Sequence, residues 1–196
     1  LDGHPLQTLR DLLAECRIEM PEGLPAVSAG LFGYLGYDMI RLVEHLPDVN
    51  PDPLDLPDAQ LIRPSVIAVL DGVKGEVTVV APAWVGSGLS ARAAYAQAAE
   101  RVMDALRDLD RAPSAARDLG QAAPVGTAQS NFTHDGYKAA VEKAKDYIRA
   151  GDIFQVVPSQ RWKQRFELPP FALYRSLRRT NPSPFMFFFN FGGFQV

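Results

Sequence analysis

Residues 181–187 (NPSPFMF) have the side-chain types in this sequence that best suit ligand binding. Two prolines two positions apart fix φ at their own sites and restrict the residue before each, which predicts an extended loop that is ordered in advance. The carbonyl of Pro184 can accept a hydrogen bond, and Phe185 and Met186 can line an apolar pocket. Such a pocket favours a small ligand with an aromatic side chain, such as an amino acid. The alternative is a plain connector between a helix and a strand.

Familiar catalytic and metal-binding patterns do not occur. The histidines are His4, His45 and His134, and none is spaced from a second histidine, cysteine or carboxylate as metal ligands are. There is no Gly-x-Ser-x-Gly motif and no phosphate-loop lysine motif. Gly30, Gly33 and Gly36 do not match the dinucleotide-binding pattern, and they predict bulges or close backbone packing instead.

Charge is unevenly distributed along the chain. Residues 1–129 hold 10 basic and 18 acidic side chains, whereas residues 130–196 hold 10 and 5. The second part therefore suits an anionic ligand or an acidic partner, or simply presents a solvated face. Its basic residues surround Trp162 and Phe166, and they are Arg161, Lys163, Arg165, Arg175, Arg178 and Arg179. Nucleic-acid binding is disfavoured because the whole chain is acidic, with an isoelectric point near 5.6.

Composition is typical of a globular protein. The chain has 196 residues, 47% of them hydrophobic, and an apolar run such as 185–189 is far too short to cross a membrane. The first residues show no secretion signal. Cys16 is the only cysteine, so no internal disulfide can form, and its place on an apolar helix face predicts a core residue rather than a nucleophile. A reducing cytoplasm is the expected location.

Hydrophobic periodicity and turn residues predict the elements of the first half. The first is a helix over 6–18, followed by a glycine-interrupted strand over 27–37 and a short helix over 39–46 capped by Asp38. A proline-rich loop over 47–57 leads to a hairpin of strands 61–70 and 76–81 around the turn 71–75. The last is a helix that extends from Ser90, its N-cap, to Leu109. Residues 111–130 have no sustained period and are predicted to be a linker.

The second half begins with a helix that Thr133 caps and Gly151 ends. Next come a strand over 152–166 that bends at Pro158, a helix opened by Pro169 and Pro170 with Phe171, Tyr174 and Leu177 turned inward, a strand over 185–190, a Gly192-Gly193 turn and a further strand. This order predicts an α+β fold with mainly antiparallel sheets and helices packed outside. The apolar strand at the chain end would be an open edge, so we expect a piece of a longer protein.

Four blocks of the sequence resemble the anthranilate synthase component I (large-subunit) family of chorismate-using enzymes. They are 30–47 (GLFGYLGYDMIRLVEHLP), 56–59 (LPDA), 131–162 (NFTHDGYKAAVEKAKDYIRAGDIFQVVPSQRW) and 173–188 (LYRSLRRTNPSPFMFF). Phe154-Gln155-Val156-Val157 and Met186 favour anthranilate synthase over the related aminodeoxychorismate synthase. Pro158 stands where many relatives have Leu or Ala, which implies a local change in the strand.

The resemblance implies an activity, partners and a regulatory site. The parent enzyme would be a Mg²⁺-dependent lyase of tryptophan biosynthesis that makes anthranilate and pyruvate from chorismate, with ammonia from a glutamine amidotransferase subunit (component II). L-Tryptophan would inhibit it by binding at Pro184, Phe185 and Met186. Residues 1–110 would belong to the N-terminal regulatory domain, 111–130 to a linker and 131–196 to the opening of the catalytic domain. The enzyme would be cytoplasmic, with no nucleic-acid or membrane partner.

The same resemblance places the main catalytic and Mg²⁺-binding residues outside this chain. A Gly-Ala-Ser-Pro-Glu block would follow Val196, and the family's Leu-Leu-Glu-Ser segment is absent, since Leu12-Leu13-Ala14-Glu15 stands in another context. We therefore expect no catalytic residue, no metal ligand and no activity in this chain alone. Two alternatives stay open: a part of an aminodeoxychorismate synthase component I, and a non-catalytic module that binds a small ligand or a subunit.

Overall fold

A computed structural model describes residues 4–86, 88–111 and 126–196 of the chain. The chain divides into two compact units, Leu1–Pro113 and Ser114–Val196. Both contain helices and short antiparallel strand pairs, so the predicted α+β class is confirmed. Within the described ranges, no helix is long and apolar enough to span a membrane.

The described residues of the first unit form two α-helices, two strand pairs and two short 3₁₀ helices, Ala26–Ser28 and Tyr37–Leu42. The α-helices and strand pairs are α1 (Pro5–Glu15), β1 (Phe32–Leu35) paired with β2 (Ala59–Ile62), β3 (Ile67–Asp71) paired with β4 (Glu76–Val80), and α2 (Ala91–Asp110). The β3–β4 hairpin closes where the N–H of Gly75 donates to the carbonyl of Asp71 at 2.8 Å. Gly75 has a φ of +70°, a left-handed conformation that glycine adopts without a steric penalty. The hairpin predicted around residues 71–75 is thus confirmed.

Helix α2 packs on β4 through its smallest side chains. Ala94 and Ala98 lie one turn apart on the same face and are only 2% and 5% exposed, because alanine lets the helix backbone approach the strand. The hydroxyl of Ser90 accepts a hydrogen bond from the N–H of Ala93 at 3.3 Å, which confirms the predicted N-cap. Arg101 then donates to two carbonyls of the loops flanking the hairpin, those of Ser65 and Pro82, each at 3.2 Å.

Several predicted boundaries in this unit are wrong. Helix α1 ends at Glu15, and the strand predicted over 27–37 is limited to β1. Tyr37–Leu42 is a 3₁₀ helix that follows Gly36, so Asp38 is not its cap; Asp38 lies in the first turn and forms an ion pair with Arg41. The strand predicted over 61–70 is two strands, since Pro64 cannot donate to a ladder and separates β2 from β3.

The second unit has two helices and little strand structure. Its elements are β5 (Gln129–Ser130) paired with β6 (Trp162–Lys163), α3 (His134–Ala150) and α4 (Pro170–Thr180), followed by a tight hairpin closed by hydrogen bonds between Phe189 and Val196. The hydroxyl of Thr133 accepts from the N–H of Gly136 at 3.1 Å, and Gly151 has a φ of +82° at the helix end. Both predicted caps of α3 are confirmed.

The strand predictions for this unit are mostly wrong. Of residues 152–166 only Trp162–Lys163 is paired, and of residues 185–190 only Asn190 forms a bridge, with Gln195. Hydrogen-bonded strands need partners along their whole length, and local sequence cannot supply them. The linker predicted over 111–130 falls largely on residues 112–125, outside the described residues, while its last two positions form β5.

Candidate functional site

The segment 181–187 follows directly from the end of helix α4. The N–H of Asn181 donates to the carbonyl of Leu177 at 2.9 Å, which completes the last turn, and Asn181 then leaves helical geometry with a φ of −144°. Pro182 and Pro184 follow, and neither can continue a helix because proline has no N–H to donate. The chain therefore extends away from α4 at a point that local sequence determines.

The far end of the segment is held by aromatic contacts. The ring of Phe188 packs against Phe171 and Tyr174 of α4, with ring centroids 5.2 and 6.0 Å apart. Beyond it, Phe189 and Val196 exchange backbone hydrogen bonds of 2.7 and 3.0 Å. The segment thus connects the end of α4 to the hairpin that Phe189 and Val196 close, and contacts with α4 fix both of its ends.

Pro184, Phe185 and Met186 lie in the middle of this span. Phe185 is 89% exposed, and its N–H donates to the hydroxyl of Ser183 at 3.4 Å. Pro184 is exposed, whereas Met186 is partly buried. An exposed phenyl ring beside a half-covered thioether can stack on or enclose an aromatic ligand, and a carbonyl of the extended backbone can accept from an ammonium group. Ligand binding by these three residues stays a prediction.

The three residues of α4 that are predicted to face inward differ in their exposure to solvent. Tyr174 is partly buried and stacks on Phe171 with centroids 5.6 Å apart. Phe171 also contacts Phe188, so it faces the neighbouring segment as predicted, although its side chain remains 50% exposed. Leu177 is 46% exposed. The arginines of α4 are exposed, as expected for its polar face.

An unforeseen junction joins the start of α3 to the residues after Pro158. Asn131 and Arg161 exchange two hydrogen bonds, and the amide of Gln160 donates to the hydroxyl of Ser130 at 2.6 Å. The hydroxyl of Tyr137 donates to the carbonyl of Pro158 at 3.3 Å. Pro158 predicted a bend from sequence alone. The sequence did not predict the partner of its carbonyl, Tyr137, which is about 20 residues away along the chain.

The other residues singled out from sequence are the cysteine, the histidines and the glycines of the first predicted strand. Cys16 is buried (8% exposed), as predicted, with a guanidinium nitrogen of Arg63 at 3.6 Å from its sulfur. His4, His45 and His134 are exposed. Gly33, at a φ of +156°, lies against β2, where an added Cβ would collide with the carbonyl oxygen of Gln60. The N–H of Gly36 donates to the carbonyl of Asp58 at 2.6 Å, so the predicted close backbone packing is confirmed for Gly33 and Gly36, whereas an added Cβ at Gly30 would meet nothing within 4 Å.

The described residues contain no cluster of metal-ligand side chains. Across 4–86, 88–111 and 126–196, no group of three histidine, cysteine, aspartate or glutamate side chains is placed to hold a metal ion. Residues that would hold Mg²⁺ are therefore not assigned within these ranges.

Comparison with known proteins identifies the relatives of the chain. The sequence model of the family described as "chorismate binding enzyme" matches residues 2–196. Anthranilate synthase component 1 of Cereibacter sphaeroides is 84% identical over 196 residues, which cover all of this chain and 39% of that protein. The corresponding protein of Pseudomonas aeruginosa is 38% identical over 98% of this chain and 39% of its own length.

A solved structure has the same fold. The crystal structure of anthranilate synthase component I from Streptococcus pneumoniae superposes with a TM-score of 0.82 at 31% sequence identity, covering all of this chain and 43% of that one. The chain thus spans about two fifths of the length of the proteins that it matches.

Proposed function

Because the chain belongs to the family of chorismate-binding enzymes, we propose that it forms part of an anthranilate synthase component I. The observation that carries this proposal is the 84% identity with the Cereibacter sphaeroides component 1 over every residue of the chain. The Pseudomonas aeruginosa relative and the Streptococcus pneumoniae structure have the same name at lower identity. These names favour anthranilate synthase over aminodeoxychorismate synthase, the alternative that the sequence left open.

The reaction of the complete enzyme would be a carbon–oxygen lyase reaction on chorismate. Ammonia forms a new carbon–nitrogen bond to the ring, and the ring hydroxyl leaves as water. Removal of a ring proton and cleavage of the bond between the ring and the enolpyruvyl oxygen then release pyruvate and yield aromatic anthranilate. A Mg²⁺ ion would supply Lewis-acid assistance to the leaving hydroxyl. Since the described residues do not form a metal site, we place its ligands in the rest of the longer enzyme.

The part of the enzyme in this chain would be regulatory and structural. Pro184, Phe185 and Met186 would bind L-tryptophan, with the ring of Phe185 against the indole and the Pro184 carbonyl near the ammonium group. Support comes from the 89% exposure of Phe185 on a loop whose ends are both fixed to α4. Binding there, away from the chemistry, would lower activity by favouring a less active state of the enzyme.

A partner and a location complete the proposal. The name "component 1" of the relatives implies a second component, and we propose a glutamine amidotransferase subunit that supplies ammonia. Chorismate and L-tryptophan would be the small-molecule ligands. The enzyme would work in the cytoplasm, where tryptophan biosynthesis takes place.

The test uses the intact protein that carries this sequence, purified without its partner. With chorismate, Mg²⁺ and an ammonium salt, we expect formation of anthranilate, followed by its fluorescence, and release of pyruvate. Glutamine should replace the ammonium salt only after the amidotransferase subunit is added. Formation of an aminodeoxychorismate product without pyruvate would instead establish the aminodeoxychorismate alternative, and absence of any turnover would leave the binding-module interpretation.

A further inference from the structure

Helix α4 differs from α1, α2 and α3 in containing no acidic residue that could balance its positive charges. In α3, Lys145 pairs with Glu142 and Arg149 with Asp146, each at 2.8 Å. In α2, Arg107 pairs with Asp104 in the same way. Helix α4 (PFALYRSLRRT) contains no acidic residue. Its cations are Arg175, Arg178 and Arg179, and none of them forms an ion pair with a residue that the structure describes.

Two of these arginines share a cavity on the helix surface. An open cavity of about 480 Å³ is lined by Ala172, Arg175, Ser176, Arg179 and Thr180. Arg175 and Arg179 are four residues apart and therefore on one face, with the short side chains of Ala172 and Ser176 beside them. Arg178 lies on the same helix but does not line the cavity.

One of the two hydroxyl groups that line the cavity is available as a hydrogen-bond donor. The hydroxyl of Thr180 donates to the carbonyl of Ser176 at 3.0 Å, so its proton is already engaged. The hydroxyl of Ser176 makes no hydrogen bond within the described ranges and can donate to a ligand. Two guanidinium groups and one hydroxyl donor then line the same cavity, with no carboxylate among the lining residues.

The helix dipole accounts for only part of this arrangement. Cations near a helix C-terminus are stabilised by its partial negative charge, an effect limited to the last turn. This explains Arg178 and Arg179, which lie in that turn. Arg175 lies further from the end, and its charge is repelled by Arg179 one turn away. An anion between the two guanidinium groups would remove that repulsion and form charge-assisted, bidentate hydrogen bonds.

We propose that the Arg175–Arg179 face of α4 is a binding site for a small oxyanion, a carboxylate or phosphate group of a soluble ligand. The site is separate from residues 184–186 and does not depend on the proposed enzymatic function. Phosphate and carboxylate groups each present a pair of oxygen atoms that a guanidinium group can bind through two hydrogen bonds.

The test is a calorimetric titration of the intact protein with inorganic phosphate and, separately, with succinate, at constant ionic strength in a chloride buffer. We expect saturable binding of at least one of the two anions, and their relative affinities separate a phosphate site from a carboxylate site. In the variant with Arg175→Ala and Arg179→Ala, binding should weaken roughly tenfold or more, because both charge-assisted contacts are lost. Circular dichroism checks that the variant is folded.

The matched comparison is between two single variants, Arg175→Ala and Arg178→Ala, which remove the same charge from the same helix inside and outside the cavity. Arg175→Ala should weaken binding, and Arg178→Ala should bind like the parent protein. The proposal is overturned if neither anion shows saturable binding, or if Arg178→Ala weakens binding as much as Arg175→Ala, since the effect would then be one of general surface charge.

Discussion

Asn131 and Arg161 hold two distant parts of the second unit together through a reciprocal pair of hydrogen bonds. The N–H of Asn131 donates to the carbonyl of Arg161 at 3.0 Å, and the N–H of Arg161 donates to the side-chain oxygen of Asn131 at 2.8 Å. The backbone of residue 161 is thus fixed in front of α3 and continues the short β5–β6 pairing by one residue.

Replacing Asn131 by alanine should therefore destabilise this unit. The change removes the side-chain acceptor of the Arg161 N–H, and we expect a loss of about 1 kcal/mol, the usual net value of one hydrogen bond. Thermal unfolding of the intact protein measures it. Asn50→Ala is the control, because the side chain of Asn50 is exposed in the proline-rich loop. Equal melting temperatures for the two variants would contradict a stabilising role of the Asn131 side chain.

Gly33→Ala should disrupt the β1–β2 pair. A methyl group at this position would collide with the backbone of Gln60, and the φ of +156° also disfavours any residue with a Cβ. We expect a loss of more than about 2 kcal/mol, because the strand backbone has to move apart. Gly72→Ala is the matched control, since an added Cβ at Gly72 meets only open space. The comparison is made by chemical denaturation, and similar midpoints would refute the close packing.

The turn of the β3–β4 hairpin should make stability depend on pH. The N–H groups of Lys74 and Val73 donate to the carboxylate of Asp71 and lower its pKa below the usual 3.8. A lowered pKa in the folded state means that the ionised form is stabilised there. This contribution is present above pH 3.8 and is lost as the pH falls through the lower, folded-state pKa.

Asp71→Asn tests this contribution directly. Asparagine keeps an oxygen acceptor in the turn but loses the charge, so the variant should be less stable than the parent protein at neutral pH. The difference in melting temperature should shrink as the pH is lowered below the pKa of Asp71. Glu76→Gln, at the facing strand position, controls for the change in net charge. A difference that stays constant across the titration would show that the charge on Asp71 is irrelevant.

Phe185→Ala should weaken inhibition by L-tryptophan without abolishing ammonia-dependent catalysis. Loss of the exposed ring removes an aromatic stacking surface, so we expect the inhibitory concentration of tryptophan to rise roughly tenfold or more. Steady-state assays at increasing tryptophan concentrations measure it. Phe166→Ala is the control, since that ring is also partly exposed in the same unit. Unchanged inhibition would remove Phe185 from the tryptophan site.

The 196-residue chain on its own should not convert chorismate to anthranilate. It spans 39% of the length of its relatives, and its described residues lack a metal-binding group. Many of its large apolar side chains are exposed, among them Phe154 at 94% and Phe187 at 59%. The fluorescence assay with chorismate, Mg²⁺ and ammonium salt checks the expectation, with the intact protein as the positive control. Clear turnover by the isolated chain would contradict it.

Local chemistry determined much of this protein from sequence alone. Ser90 and Thr133 cap their helices, Gly151 ends α3, and residues 71–75 form a turn, because each of these features depends on hydrogen bonds or φ values within a few residues. The family resemblance could also be recognised from sequence, because long blocks such as 131–162 can be compared residue by residue without knowledge of the fold. Ligand binding by Pro184, Phe185 and Met186 was predicted from such a motif and stays a prediction.

Tertiary structure decided which extended segments became paired strands and which side chains became covered. Residues 152–166 have the composition of a strand, yet only Trp162 and Lys163 form a paired strand, with Gln129 and Ser130. Leu177 has the spacing of a buried residue and is 46% exposed. Strand pairing and burial depend on groups far away along the chain, so a periodic pattern shows only that a face can be covered. Which residues cover that face depends on which distant segments of the chain come together, as the segments of Asn131 and Arg161 do.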